Sequence, residues 1–188
     1  MSAPAGGLCR SFGQLCQHGA QLCHLPPWID RDALRESLVT IKKSRKWSKG
    51  TEPVDLDGFL RTYTAKGYPA DRFVHPTCSC GNATFRLVAD SDCAQRVCAG
   101  CGAEHFVCDS EDYWDDAEPD ECACPCGGEV FDLAVGFSHV DAITEEEESY
   151  RTIKWITVGA RCVECGILGV YADWKIDYDP CDHLYQQV

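Results

Sequence analysis

Eight cysteines in the second part of the chain occur as four close pairs, each followed by a glycine. One residue separates the cysteines in two of the pairs, and two residues separate them in the other two. A short turn of this kind brings two thiolates onto one metal ion, and the glycine allows a positive φ in the turn. Two turns supply the four ligands of a tetrahedral zinc site. The expected ligands are Cys78, Cys80, Cys98 and Cys101 for the first cluster and Cys124, Cys126, Cys162 and Cys165 for the second cluster.

The cysteine pairs belong to an internal duplication. Residues 78–87 match residues 124–133 at an offset of 46, and residues 98–102 match residues 162–166 at an offset of 64. Both copies keep the motifs in the same order, which chance would not produce. The duplication also leaves Cys122 outside the second cluster, although it lies close to the expected ligands.

This framework of paired cysteines resembles the zinc-ribbon class of folds over about residues 78–179. The resemblance implies structural zinc held at the ends of antiparallel hairpins. Ribbon turns are usually Cys-x-x-Cys, so the two Cys-x-Cys turns of this chain depart from the pattern. Four thiolates close the coordination shell, whereas a catalytic zinc keeps one position open for water. We therefore expect two structural zinc ions per chain, although four thiolates also accept iron.

The remaining cysteines and the six histidines leave an enzyme as an alternative. Cys122 is the best candidate for a reactive thiol, but the acidic residues around it would raise its pKa and disfavour the thiolate. No histidine has a spacing that demands acid–base catalysis. A thiol- or metal-dependent enzyme therefore ranks below a non-enzymatic protein. Cys93, Cys108 and Cys181 are also left outside the clusters. Cys108 and Cys181 are possible redox partners of Cys122, whereas alignment of Cys108 with Ala172 favours a small buried side chain at that position.

Charge is divided unevenly along the 188 residues, whose formal net charge is −13. Residues 1–77 carry a balance of +4 and residues 78–188 a balance of −17. Nucleic-acid binders normally present a basic surface to the phosphates, so this composition argues against nucleic acid. It favours a basic protein partner. No apolar stretch approaches the ~20 residues of a membrane span, so we expect no membrane partner.

An acidic loop at residues 109–121 contains two aromatic residues among its carboxylates. It lacks the glycine and the terminal glutamate position of a regular calcium loop. Aromatic anchors surrounded by charge are typical of protein interfaces. We therefore expect an inhibitor, adaptor or immunity-type protein that binds through an acidic aromatic surface. The residues of this surface are Asp112, Tyr113, Trp114, Asp115 and Asp116.

A basic tract at residues 42–49 supports a second alternative, a nucleic-acid-associated ribbon protein. Its contacts would come from Lys42, Lys43, Arg45 and Lys46. The acidic second part of the chain would repel a polyanion brought close to it. Docking of this tract on the protein's own acidic part is therefore the preferred interpretation.

Hydrophobic periodicity predicts the elements that position these residues. Residues 30–47 and 55–66 show helical stripes, whereas short β-type runs follow from residue 84 onward. Residues 145–148 are four glutamates that read as a hairpin tip, and one strand should bury Phe131, Leu133 and Val135. The predicted fold class is α+β, with an N-terminal helical segment followed by two tandem, β-hairpin-based zinc ribbons. The predicted domains are 1–27, 28–76, 77–121 and 122–188.

The first 27 residues contain a Leu-Cys repeat with a spacing of seven, at Cys9, Cys16 and Cys23. That spacing is about two helical turns, or about 10.5 Å, too far for neighbours to share one metal ion. A flexible tandem expansion is therefore preferred to a metal site that would include His18 and His24. The N-terminus lacks the features of a signal peptide, and paired cysteines are typical of metal binding in a reducing compartment. A cytoplasmic location is expected.

Overall fold

The computed structural model describes residues 42–43, 47–143 and 149–188. These residues form mainly antiparallel β structure with one α-helix, α1 (Asp55–Thr64), and two short 3-10 helices (Ser110–Asp116 and Asp182–Gln186). The strands are β1 (Lys42–Lys43), β2 (Ser48–Lys49), β3 (Ala70–Val74), β4 (Thr84–Ala89), β5 (Ala94–Cys98), β6 (Glu104–Phe106), β7 (Asp120–Glu121), β8 (Phe131–Ile143), β9 (Ser149–Cys162) and β10 (Leu168–Lys175).

Eight of these strands form one sheet, in the order β10-β9-β8-β4-β5-β6. The other two strands lie beside this path: β3 pairs with β8, and β7 pairs with β4. Two three-stranded units, β4-β5-β6 and β8-β9-β10, make up most of it. The long β8–β9 hairpin gives the second unit more than twice the strand length of the first.

The sequence duplication is reproduced in the pairing of the strands. Phe85 lies opposite Cys98 in the first unit, and its equivalent Phe131 lies opposite Cys162 in the second. The third strand of each unit is also placed equivalently. The register between β6 and β5 is the same as the register between β10 and β9. The two units are therefore structural copies around their cysteine turns.

The two copies are joined by their equivalent strands. β4 pairs with β8 in antiparallel register, with Phe85 opposite Phe131 and Thr84 opposite Asp132. Phe85 and Phe131 are the same position of the duplicated motif, so each pairs with its own counterpart. An antiparallel pairing of this kind places a local twofold axis between the two units.

The prediction of an α+β fold with an N-terminal helical segment and two tandem ribbons is wrong. The β4–β8 pairing merges both units into one antiparallel sheet, and the α-helix of the described residues lies on that sheet. The first predicted helix is also wrong at its end, because Lys42–Lys43 of β1 pairs with Ser48–Lys49 of β2. Its earlier residues, the repeat at 1–27 and the tip at 145–148 lie outside the described residues. The domain boundaries stay a prediction.

Both faces of the sheet are buried around β8. Phe131, Leu133 and Val135 are at most 2 % exposed, which confirms the prediction for that strand. The intervening residue Ala134 is fully buried as well, because α1 packs over that face. Leu60 of α1 lies against the backbone of β9, where a Cβ added at Gly159 would come within 2.8 Å of the leucine side chain.

The C-terminal residues close the other face of the sheet. The backbone N–H of Cys108 donates to Gln187, and the Arg96 guanidinium donates to the main-chain oxygen of Val188. The indole of Trp174 donates to the buried carboxylate of Asp109 at 2.8 Å, linking β10 to the segment after β6. Within the described part of the chain, no helix has the length and apolar character needed to cross a membrane.

Candidate metal centres

The two Cys-x-Cys turns have the same hydrogen bonds. In the first cluster the N–H of Gly81 donates to the carbonyl of Cys78 at 2.8 Å. In the second cluster the N–H of Gly127 donates to the carbonyl of Cys124 at the same distance. Both glycines have positive φ, +86° and +94°. The glycine after each pair therefore has the turn geometry expected from the sequence.

The two Cys-x-x-Cys turns are duplicated as well. Gly102 donates to the carbonyl of Cys98 and Gly166 to that of Cys162, both at 2.9 Å. The φ angles of these glycines are +76° and +73°. Each turn closes the end of its strand pair, β5–β6 or β9–β10. All four turns thus hold their cysteines by backbone geometry.

The sulfur atoms gather into the two predicted sets of four. The Sγ atoms of each set lie within 4.8 Å of one another. Across the turns, the Sγ–Sγ distances are 3.6 Å for Cys78–Cys101 and for Cys80–Cys98. In the second cluster they are 3.5 Å for Cys124–Cys165 and 3.6 Å for Cys126–Cys162. Tetrahedral zinc with Zn–S near 2.3 Å requires sulfurs about 3.8 Å apart, so each cluster has the geometry to hold one metal ion.

Backbone amides prepare some of these thiols for ionisation. Burial opposes the Cys98 thiolate, yet the N–H groups of Cys101 and Gly100 lower the pKa of Cys98 to about 6. In the second cluster the Gly128 N–H lowers the pKa of Cys126 to about 7. A thiolate is the form that binds metal, so these turns favour metal binding at neutral pH.

The pKa of Cys101, in the first cluster, is raised and not lowered. The N–H of Ala103 favours the thiolate of Cys101, but the other three sulfurs of the cluster raise its pKa to about 12. Four adjacent thiolates repel one another when no cation lies between them. A divalent cation removes that repulsion, so this arrangement is chemically suited to metal.

The cysteines outside the two clusters are buried and distributed over the core. Cys93, Cys108, Cys122 and Cys181 are each at most 5 % exposed. Burial raises the pKa of Cys108 and of Cys93. Within the described residues, no set of metal-ligating side chains apart from the two clusters comes close enough to hold an ion. A reactive thiol at Cys93 or Cys108 is therefore disfavoured.

The acidic aromatic surface lies on the 3-10 helix Ser110–Asp116. Asp112, Asp115 and Asp116 are exposed, and Tyr113 is 41 % exposed. Trp114 is half-buried and packs edge-on against Phe106, with the ring centroids 5.0 Å apart. The tryptophan thus anchors the segment to β6, while the tyrosine and the carboxylates face outward.

One side-chain cluster was missed by sequence reasoning. His139 of β8 contacts the carboxylate of Asp71 through Nδ1 at 2.5 Å and the hydroxyl of Tyr185 through Nε2. Arg151 also pairs with Asp71, and the guanidinium of Arg72 lies 3.5 Å from the centre of the Tyr185 ring. The partners in these contacts are at least 46 residues apart in the sequence, so no local spacing could have revealed them.

A buried arginine was missed as well. Arg96 of β5 is 6 % exposed and lies two residues before Cys98 on the same face of its strand. Its guanidinium lies 4.9 Å from the centre of the Phe85 ring. Two of its nitrogens, Nε and Nη1, are buried and have no hydrogen-bond partner among the described residues.

Comparison with known proteins gives no match to a family model, to a curated protein or to a solved structure.

Proposed function

We propose that each cluster holds a zinc ion and that both ions are structural. The observation that carries this proposal is the closure of each site by four thiolates, which leaves no position for water or substrate. Structural zinc in small peptides contributes about 10–16 kcal/mol of apparent binding free energy. A whole domain is typically stable by only about 5–15 kcal/mol, so two such sites can decide whether this sheet folds.

The two zinc ions are tested by comparing native and denaturing masses of the full chain with elemental analysis of the same sample. Two zinc atoms per chain are expected in the native mass and none in the denatured one. Bound iron, or fewer than two metal ions in protein purified under reducing conditions, would contradict the proposal.

We further propose that the protein acts by binding a basic protein partner through its acidic aromatic surface. Each four-thiolate zinc site adds −2, so two sites bring the formal charge from −13 to −17. Burial and then the charges of Asp109 and Asp112 raise the pKa of Tyr113, which places its ring in a negative field. An exposed aromatic ring within such a field suits lysine- and arginine-rich segments.

Neutralising the surface tests this second part. The triple variant Asp112→Asn, Asp115→Asn, Asp116→Asn should bind an immobilised lysine-rich peptide about tenfold more weakly, with a smaller dependence on salt. Three exposed charge pairs contribute about 1–2 kcal/mol together, which corresponds to that factor.

A matched control removes three exposed charges elsewhere, with Glu129→Gln, Asp141→Asn and Asp182→Asn. The control has the same net charge as the test variant and should bind the peptide nearly as the parent does. Equal losses in both variants would show that only total charge matters, and the acidic aromatic surface would then have no special role.

A further inference from the structure

The two clusters share their backbone geometry but differ in the charges around them. Arg96 is the residue that distinguishes the first cluster, because its equivalent in the duplication is Ala160 of β9. A buried guanidinium is costly unless an anion compensates it. A zinc ion with four thiolates carries a formal charge of −2 and would supply that anion.

The surroundings of Arg96 support this pairing. Arg96 and Cys98 share one strand face, and Phe85, whose ring contacts the guanidinium, lies opposite Cys98 in the sheet. Without the negative charge of the zinc–thiolate centre, Arg96 would be a buried cation whose Nε and Nη1 have no hydrogen-bond partner among the described residues.

The two clusters also differ in the side chains that pack against their cysteine turns. Each cluster has a glycine at one of two facing positions and a polar residue at the other, and the two positions are exchanged between the clusters. In the first cluster Asn82 lies over Gly100, and its amide Nδ2 donates to the Sγ of Cys98 at 3.4 Å. In the second cluster the equivalent of Asn82 is Gly128, and the equivalent of Gly100 is Glu164. A hydrogen-bond donor is therefore replaced by a carboxylate from the opposite turn.

The carboxylate of Glu164 and the Sγ of Cys162 both lie beside Gly128. A Cβ added at Gly128 would be 3.0 Å from the Glu164 carboxyl carbon and 3.1 Å from the Sγ of Cys162. Negative charge near a zinc–thiolate centre disfavours the complex, whereas a cation and an N–H···S bond favour it. All three differences act in the same direction.

We propose that the two sites are unequal: the first cluster binds its zinc more tightly, and the second cluster is the exchangeable site, which empties first when zinc becomes scarce. This inference rests on the proposed function, because it assumes that both clusters bind zinc. It makes the second cluster the point at which soft divalent metals or metal-chelating thiols act on the protein.

The exposure of the two clusters does not determine which of them loses zinc first at equilibrium. The backbone of Gly50 lies over the second cluster and donates to the carbonyl of Gly166 at 2.8 Å, which restricts access of a chelator there. Cys165 is also less exposed than its equivalent Cys101. The comparison must therefore be made at equilibrium, where affinity and not access determines the occupancy.

The test equilibrates the two-zinc full chain in buffers that fix free zinc at graded concentrations. Native mass spectrometry counts the zinc retained, and a brief iodoacetamide pulse alkylates emptied thiolates with loss of iodide. Two steps are expected, separated by about tenfold or more in free zinc, the usual effect of groups that contact the ligands. The one-zinc species should carry label on Cys124, Cys126, Cys162 and Cys165.

Two substitutions should each reduce the difference in zinc affinity between the sites. Glu164 is exposed, and Glu164→Gln should raise the zinc affinity of the second site. Asn82→Ala should lower the zinc affinity of the first site. Glu118→Gln removes an exposed glutamate that lies outside both clusters and should change neither step.

Different failures point to different errors. Loss of both zinc ions in one step, or labelling of the first cluster in the one-zinc species, would overturn the inequality alone. A separation of the two steps that neither variant changes would overturn the roles assigned to Glu164 and Asn82. A starting protein with fewer than two zinc ions would instead overturn the proposed function.

Discussion

At the scale of single residues, two equivalent glycines are required for different reasons. Gly102 and Gly166 both have positive φ in the Cys-x-x-Cys turns. A Cβ at Gly102 would meet nothing within 4 Å, whereas one at Gly166 would lie 2.4 Å from the carbonyl oxygen of Gly50. The first glycine is needed for its backbone conformation alone, and the second also for close contact with another segment.

Alanine at these positions should therefore have unequal costs. Gly102→Ala should lower the free energy of unfolding by about 1–2 kcal/mol, the usual cost of a left-handed conformation. Gly166→Ala should cost about 2–3 kcal/mol more, because the backbone around Gly50 must also move. Chemical denaturation of the zinc-loaded variants measures both values. Equal costs would mean that the contact with Gly50 does not constrain the second cluster.

The residue scale also shows where sequence reasoning succeeded. The eight cysteines fall into the two predicted sets because close spacing and the duplication define them locally. Arg96 carries no such signal, since its importance depends on burial and on Val188, which lies 92 residues away. The cysteine framework could be predicted, but the charges that distinguish its two copies could not.

At the scale of elements, α1 is held to the sheet by an ion pair as well as by Leu56 and Leu60. Nε2 of His75, just after β3, lies 2.8 Å from the carboxylate of Asp57 in the first turn of α1. This hydrogen bond raises the pKa of His75 above its ordinary value, against the opposing effect of burial. The pair therefore stabilises the fold more strongly when the histidine is protonated.

The sign of this linkage predicts a pH dependence. Because the folded pKa is raised, the stabilisation is fully present below about pH 6.5, the ordinary pKa of histidine, and is lost as pH rises through the folded value. Asp57→Asn should lower the free energy of unfolding by about 0.5 kcal/mol more at pH 6 than at pH 9, since both groups are about one-third exposed.

The control for this prediction is the variant His75→Gln. Adding Asp57→Asn to it should give the same change in unfolding free energy at both pH values, measured by urea denaturation. A pH dependence that persists without His75 would assign the effect to another group.

The same elements explain why the predicted fold class was wrong. The helical stripe at residues 55–66 is a real element, α1 (Asp55–Thr64), but it covers one face of β8 and β9 instead of forming a separate helical part. Residues 42–43 carry a helical pattern and yet pair with β2. Periodicity reports which residues are apolar, whereas the pairing partner of a strand is decided by contacts distant in the sequence.

At the scale of the whole molecule, the β4–β8 pairing determines the architecture. Each duplicated unit alone would expose the edge of its first strand, which is a ready template for pairing with another chain. Here β4 and β8 pair at two positions, Thr84–Asp132 and Phe85–Phe131, while β7 and β3 cover other parts of the two edges. The aromatic rings of Phe85 and Phe131 are fully buried. Two units that a sequence alignment treats as consecutive thus form one continuous sheet.

The self-pairing of Phe85 with its counterpart has an evolutionary consequence. Contacts between identical positions across a twofold axis define the interface of a symmetric homodimer, so this chain has the organisation of such a dimer fused into one polypeptide. In a homodimer every substitution appears in both subunits. After fusion each copy mutates alone, which is the condition under which Arg96 and Ala160 can occupy equivalent places and the two halves can specialise.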